Sequence, residues 1–158
     1  MYASSVGLVP PLWSNNDESG YIIKASGELN DDRVAHKAFR PGISKWRANG
    51  EGLTPCWIEI QCLVPVRIHM ITIKPVDGVN IVKWKVQGKN QMTDWTDLKF
   101  STGQLTSFEI VYNNHTIPAS YQFYKIIIQE AAAANPGLSH LQLFPLSVPE
   151  LTYTSEII

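Results

Sequence analysis

The sequence is poor in charge and has no long apolar run. Of its 158 residues 17% are charged, and 13 basic residues nearly balance 14 acidic ones, for a formal net charge of −1. Such a balance gives no broad field to attract nucleic acid or an anionic membrane. No stretch approaches the ~18 apolar residues of a membrane span, and residues 1–13 lack the basic start and apolar core of a signal peptide. We therefore expect a soluble protein without its own secretion signal. We also expect that it neither binds nucleic acid nor inserts into a membrane.

Cysteine is scarce as well. Cys56 and Cys62 are the two cysteines, and an extended chain of that length separates them by roughly 20 Å, too far for a disulfide. A lone C-x₅-C without a spaced histidine or further cysteine is also poor zinc spacing. We predict two buried, reduced thiols and no metal site.

The motifs that mark common catalytic sites are missing too. The sequence contains no H-E-x-x-H, G-x-x-x-x-G-K-[ST], G-x-S-x-G or G-x-G-x-x-G. This pattern favours a binding protein over an enzyme, and we assign no catalytic residue.

What the sequence does have is apolar alternation with a period of two, broken at short intervals by Pro, Gly, Asn or Asp. That pattern is typical of an antiparallel sandwich or barrel. Within 81–87, alternation predicts that Val82, Trp84 and Val86 point inward. The tetra-alanine run 131–134 is too short for a stable helix before Asn135-Pro136-Gly137, so we expect a loop. The predicted strands are 57–63, 66–73, 81–87, 96–100, 108–112, 121–129 and 138–144.

Several segments, taken together in order and spacing, resemble the discoidin family, also called the coagulation factor V/VIII type C domain. They are 20–26, A-H-K-A-F at 35–39, Trp46, P-C-W-I-E-I at 55–60, 84–90, 95–98, 121–126 and 141–144. The resemblance implies an all-β, antiparallel jelly-roll sandwich of the galactose-binding-like type, with a binding role. It covers nearly all of 1–144, which we predict as one domain followed by an extended tail, 145–158.

The opening segment, 9–26, resembles versions of this domain attached to bacteriophage tail and fibre proteins. This resemblance implies a virion location, a role in receptor binding or adhesion, contacts with other tail proteins and, through sheet edges, a homo-oligomer. The family usually meets its ligand at loops on one end of the sandwich, here 27–34, 40–55 and 75–80.

The candidate ligand-binding residues in and beside these loops offer donors, acceptors and a ring face suited to a sugar. Alternatives stay open for several of them: Trp46 aligns with a tryptophan that often packs the core, Arg40 is able to cap a loop carbonyl, and Lys45 and Arg47 fit solvated charges. His36 also suits an ordinary loop position. Three other tryptophans, Trp57, Trp84 and Trp95, are predicted to be structural. The candidates are Asp32, His36, Arg40, Lys45, Trp46, Arg47 and Asn49.

The sequence departs from the family pattern at two positions. Arg40 stands where many members have an aspartate that holds calcium, and an arginine has no oxygen to donate. Lys125 stands where the family commonly has arginine, which keeps the charge but loses the planar fork. We predict no cofactor, although Asn30, Asp31 and Asp32 still carry oxygens near the first loop.

The sequence therefore leaves two hypotheses for the function. The first is a glycan-binding module that recognises a cell-surface sugar or polysaccharide through the loops. The second is a structural virion or tail module that contacts protein and binds no sugar. A third, binding of single-stranded nucleic acid, would need outward aromatics beside a basic groove, and the predicted inward direction of Trp84 separates it from Lys83 and Lys85.

Overall fold

The computed structural model describes residues 2–3, 7–40, 44–49 and 55–147. Within these ranges strands are the main regular structure and their pairing is antiparallel, which confirms the predicted all-β class. The two short 3₁₀ helices are η1 (Asp31–Arg33) and η2 (Ala35–Phe39). The strands are β1 (Tyr2–Ala3), β2 (Ile22–Ala25), β3 (Trp46–Arg47), β4 (Cys56–Pro75), β5 (Ile81–Lys89), β6 (Thr96–Asp97), β7 (Glu109–Tyr112), β8 (Ser120–Ala131) and β9 (Gly137–Ser147).

The long strand β4 belongs to both layers of the molecule. Its first half pairs with β2 on one side and β8 on the other, while its second half pairs with β7 and β9. Between the halves, the register with β8 shifts from Gln61 to Val66. Pro65 lies within this irregularity, where a missing backbone donor is tolerated. The two strands predicted at 57–63 and 66–73 are therefore one bent strand.

Two sheets result, and their inner faces share one core. The two are joined through β4 into one hydrogen-bonded network: the first sheet runs β2, β4, β8, β5 and β6, and the second runs β7, β4 and β9, with β1 and β3 also pairing with β9. Ile58 and Ile60 of the first sheet join the same buried cluster as Ile71 and Leu143 of the second. Alternation of apolar and polar residues along each strand thus produces a sandwich whose outer faces are free to carry polar and aromatic groups.

Strand β5 shows where simple alternation fails. Register shifts between Ile81, Lys83 and Trp84 insert an irregularity at its start. As a result Ile81 is fully buried and Val82 is 38% exposed, while Trp84 and Val86 are buried. The prediction that Val82 points inward was wrong, because a bulge changes the face on which the following side chains lie.

Other boundaries moved by a few residues. Strand β6 spans Thr96–Asp97 rather than 96–100, and β9 continues through Ser147, three residues past the predicted domain end. The rest of the predicted tail, 148–158, lies outside the described residues. Residues 132–135 form bends, which confirms the predicted loop, and Asn135 has a φ of 53°.

The two cysteines behave as predicted. Cys56 and Cys62 are both buried and free. Burial raises the pKa of Cys56 to about 11 and that of Cys62 to about 12, because the interior disfavours a thiolate. In the described ranges no helix is long and apolar enough to cross a bilayer.

Candidate functional site

The described parts of the three predicted loops lie together at one end of the sandwich. Leu29 donates its backbone N–H to the carbonyl of Arg47 at 2.8 Å, which joins the first loop to the second. Ala48 donates to Pro136 at 2.7 Å, and Val76 donates to Gly137 at 3.2 Å. The turn before β9 therefore holds the second and third loops in place.

Trp46 fills the core beneath these loops. Its side chain is completely buried, and its indole Nε1 donates to the carbonyl oxygen of Gly27 at 3.0 Å. Strand β3 approaches β9 so closely that a Cβ on Gly137 would collide with the backbone of Trp46. The prediction that Trp46 offers a ring to a ligand is corrected here: of its two open roles, the structure places it in the core.

His36 is also part of the scaffold. It is 7% exposed, and both its backbone N–H and its ring Nδ1 contact Asn15 Oδ1, at 2.8 and 3.1 Å. Asn15 Nδ2 in turn donates to Glu28 Oε2 at 2.9 Å. Burial lowers the pKa of His36 below its usual range, and the positive charges of Lys37 and Arg40 lower it further. The neutral ring thus ties η2 to the N-terminal segment, which removes Nδ1 as a donor to a sugar hydroxyl.

Arg40 contacts Trp13, a residue that was not among those predicted from the sequence. Its guanidinium carbon lies 4.7 Å from the ring centre of Trp13, a cation–π contact. Trp13 itself is 77% exposed. An arginine that holds an exposed indole in place creates a preset platform for stacking. The sequence offered a weak signal: Trp13 follows two prolines and precedes polar turn residues, a context unlike a buried strand.

The exposed indole borders an open cleft of about 730 Å³. Asp17 shapes this segment, because its carboxylate accepts the backbone N–H groups of Trp13 and Ser19, each at 2.8 Å. Hydrogen bonds from the Ser19 side chain and these backbone groups lower the pKa of Asp17 to about 2. The cleft therefore combines a ring with fixed polar acceptors. Its lining residues are Pro10, Pro11, Trp13, Asn16, Asp17, Glu18 and Ser19.

The remaining predicted residues lie nearer the second loop. Arg47 donates from Nε to the carbonyl of Asn135 at 2.9 Å, Asn49 is exposed, and Lys45 is half-buried. Asp32 is exposed, and its backbone carbonyl accepts a hydrogen bond from Lys37. Residues 41–43 and 50–54 of this loop lie outside the described residues.

One of the side-chain oxygens near the first loop is engaged within the chain. The side chain of Asn30 accepts a hydrogen bond from the backbone N–H of Asp32 at 2.9 Å. Among the described residues, no group of three or more His, Cys, Asp or Glu side chains is arranged to hold a metal ion.

Comparisons with known proteins identify the fold. No family model and no curated protein matches the sequence. Many solved structures do match, among them a family 32 carbohydrate-binding module of Clostridium perfringens NanJ in complex with galactose. It shares 18% identity and a TM-score of 0.65, with 80% of this chain and 94% of that chain covered.

Two further structures agree. A chitosan-binding module from a Paenibacillus chitosanase/glucanase has 15% identity and a TM-score of 0.63, covering 77% of this chain and 92% of its own. An F5/8 type C domain from a Bacteroides fragilis protein has 16% identity and a TM-score of 0.63, covering 88% and 100%. At these identities the likeness concerns the fold, which is the discoidin-like jelly roll that the resemblance predicted.

Proposed function

We propose that this discoidin-like domain is a non-catalytic carbohydrate-binding module that recognises a glycan at the cleft beside Trp13. The observation that carries the proposal is Trp13, a 77% exposed indole held by Arg40 beside an open cleft. Pyranose rings present a C–H face that stacks on such an indole, while their hydroxyls need fixed hydrogen-bonding partners. Solved structures of the same fold in complex with galactose and with chitotriose support this class of ligand.

The polar groups of the cleft favour a neutral sugar. Asp17 and Glu18 line it, and Asp17 remains ionised because its pKa is lowered to about 2. Carboxylates accept hydrogen bonds from sugar hydroxyls but repel a carboxylated sugar. We therefore expect the ligand to be an uncharged hexose or N-acetylhexosamine presented on a cell surface.

The test is a glycan screen followed by substitution. Trp13→Ala should weaken binding of a neutral glycan hit by roughly thirtyfold, the loss typical of an aromatic anchor. Met92→Ala is the matched control, because Met92 is 95% exposed and lies outside the cleft, so affinity should stay unchanged. Unaltered binding by folded Trp13→Ala protein would contradict the assignment.

The second loop needs its own test, since Arg47 and Asn49 were predicted as ligand contacts. The double change Arg47→Ala and Asn49→Ala should lower the affinity for the same glycan if the binding surface extends from the cleft to this loop. An unchanged affinity would restrict the site to the cleft around Trp13. Isothermal titration calorimetry with the identified sugar distinguishes the two outcomes.

A structural role in a virion or tail is the second candidate, and one surface favours it. Ile110 and Tyr112 alternate along edge strand β7, and Phe108 lies just before it; the three are each about half exposed, at 50%, 51% and 49%. An apolar row on an edge strand suits contact with protein, including another copy of this chain. The phage-tail setting and the virion location are part of this second proposal. Ile110→Lys should convert an assembled species to monomer in light scattering, and a wild-type chain that is monomeric at high concentration would count against it.

A further inference from the structure

A second surface lies on the outer face of the first sheet. Three aromatic rings and two lysines come together there, and we name them the lysine–aromatic cluster: Trp57, Lys89, Trp95, Phe123 and Lys125. The cross-strand register accounts for part of this grouping. Phe123 of β8 lies opposite Lys89 of β5, and on its other side it lies opposite Gln61 of β4, the strand that also carries Trp57. Trp95 joins from the residue just before β6.

The lysines lie between the rings. Lys125 Nζ is 4.7 Å from the ring centre of Trp57 and 4.1 Å from that of Trp95. Lys89 Nζ is 5.4 Å from the centre of Trp95 and 5.2 Å from that of Phe123. The order along the face is therefore ring, ammonium, ring, ammonium, ring. All five side chains are half-buried, so each keeps part of its surface open to solvent.

The two ammonium groups are available to an anion. Neither donates a hydrogen bond to, or forms an ion pair with, another described residue. Lys85 on the same face differs, because it is paired with Asp97 at 3.2 Å. Partial burial lowers the pKa of Lys125, and the nearby Lys89 lowers it further while Glu59 opposes this. An anion bound between the two lysines would offset their mutual repulsion.

We propose that the lysine–aromatic cluster is a second binding site, specific for a carboxylated sugar such as a uronic acid unit within a glycan chain. The sugar's C–H face would stack on the indoles, and its carboxylate would accept hydrogen bonds from Lys89 and Lys125. The chemistry is opposite to that of the Trp13 cleft, where carboxylates line the wall. The domain thus holds one site suited to a neutral sugar and another suited to an acidic one.

Charge density favours an acidic sugar over single-stranded nucleic acid at this face. Nucleic acid carries a phosphate at every nucleotide and needs an extended basic groove. Here there are two lysines, one of which, Lys125, lies opposite Glu59 in the strand register, in a chain of net charge −1. A short oligosaccharide needs only one carboxylate within reach of the two lysines, whereas single-stranded nucleic acid needs a basic groove that continues beyond them.

The five tryptophans of the chain allow one experiment to address both sites. In a ¹H–¹⁵N spectrum each indole gives its own signal: Trp13 reports the cleft, Trp57 and Trp95 the cluster, and the buried Trp46 and Trp84 the core. Titration with tetragalacturonate should shift the Trp57 and Trp95 signals and leave Trp13 in place. Shifts confined to Trp13, or no shift at all, would overturn the proposal.

Charge-removing variants supply the second measurement. Lys89→Gln with Lys125→Gln keeps the side-chain length and should lower tetragalacturonate affinity by at least about tenfold, as expected when a charged pair of contacts is lost. Lys83→Gln with Lys99→Gln is the matched control, since it also removes two lysine charges, from exposed positions outside the cluster. Equal affinity in the cluster double variant and wild type would refute the site, as would tighter binding of oligothymidylate than of the sugar.

The outcome is independent of the Trp13 cleft. Trp13→Ala should bind tetragalacturonate as the wild type does, even where it has lost a neutral glycan. If Trp13→Ala lost the acidic sugar instead, the cluster would not be its site. If no neutral sugar binds, tetragalacturonate should still shift the indole signals of Trp57 and Trp95.

Discussion

Replacing Trp46 by phenylalanine separates the two roles that the sequence left open for this residue. In the structure the ring is fully buried, and its Nε1 donates to the carbonyl of Gly27 at 3.0 Å. A core role requires that the change lowers the free energy of unfolding and leaves glycan affinity in native buffer unaltered. A ligand-contact role requires the reverse.

The structure gives the size of the expected loss. Phenylalanine has no donor, so the part-buried carbonyl of Gly27 loses its partner, at a cost of about 1–3 kcal/mol. The smaller ring also leaves a void in a packed interior, which costs about 1 kcal/mol for each missing methyl-sized group. Together these terms predict that Trp46→Phe is less stable by about 3 kcal/mol.

The assay is urea denaturation followed by far-ultraviolet circular dichroism, which does not depend on tryptophan fluorescence. With a slope of about 2 kcal/mol per molar, the midpoint should fall by about 1.5 M. Trp13→Phe is the matched control, because the same substitution at a 77% exposed ring should change stability by less than about 0.5 kcal/mol. Trp46→Phe protein that keeps its midpoint but loses the sugar would refute the assignment of Trp46 to the core.

Three further predictions concern the scaffold. The pKa of Asp17 is lowered to about 2, so its carboxylate should support the cleft above pH 4 and lose that effect as pH falls toward 2; an indole titration should show this transition in wild type and not in Asp17→Asn. Gly137→Ala should destabilise the fold by more than about 2 kcal/mol because a Cβ there meets backbone, whereas Gly27→Ala, with its nearest neighbour at 3.4 Å, should be tolerated in thermal unfolding. Cys56 and Cys62 should resist alkylation at pH 8 in the native protein and react once it is unfolded, since burial raises their pKa to about 11 and 12.

The sheet content followed from the sequence because alternation is a local property. Strands β8 and β9 were predicted close to their observed bounds, and the two predicted strands 57–63 and 66–73 together cover most of β4. The direction of Val82 was not, because the bulge at the start of β5 depends on pairing with β8, which lies some 40 residues further along the chain. The union of two predicted strands into β4 likewise depends on partners from both sheets.

The site was harder to predict because its residues meet through long-range contacts. Trp13 and Arg40 are far apart in sequence, and nothing in either local segment indicates their stacking. Trp57 and Trp95 were predicted to be structural, yet both lie half-exposed beside Lys125, a neighbour that only strand register and the path before β6 bring close. Residue type therefore suggested which side chains suit a sugar, while topology decides which of them are accessible.

The sharing of β4 between both sheets has a consequence for how the domain comes apart. Its first half pairs with β2 and β8 and its second half with β7 and β9, so the loss of either layer frees half of a strand that the other layer holds and exposes their common core. The domain should lose its structure in a single cooperative transition. A sugar held at the cleft or on the sheet face would then raise the same melting temperature, so that each site protects the whole molecule against thermal denaturation.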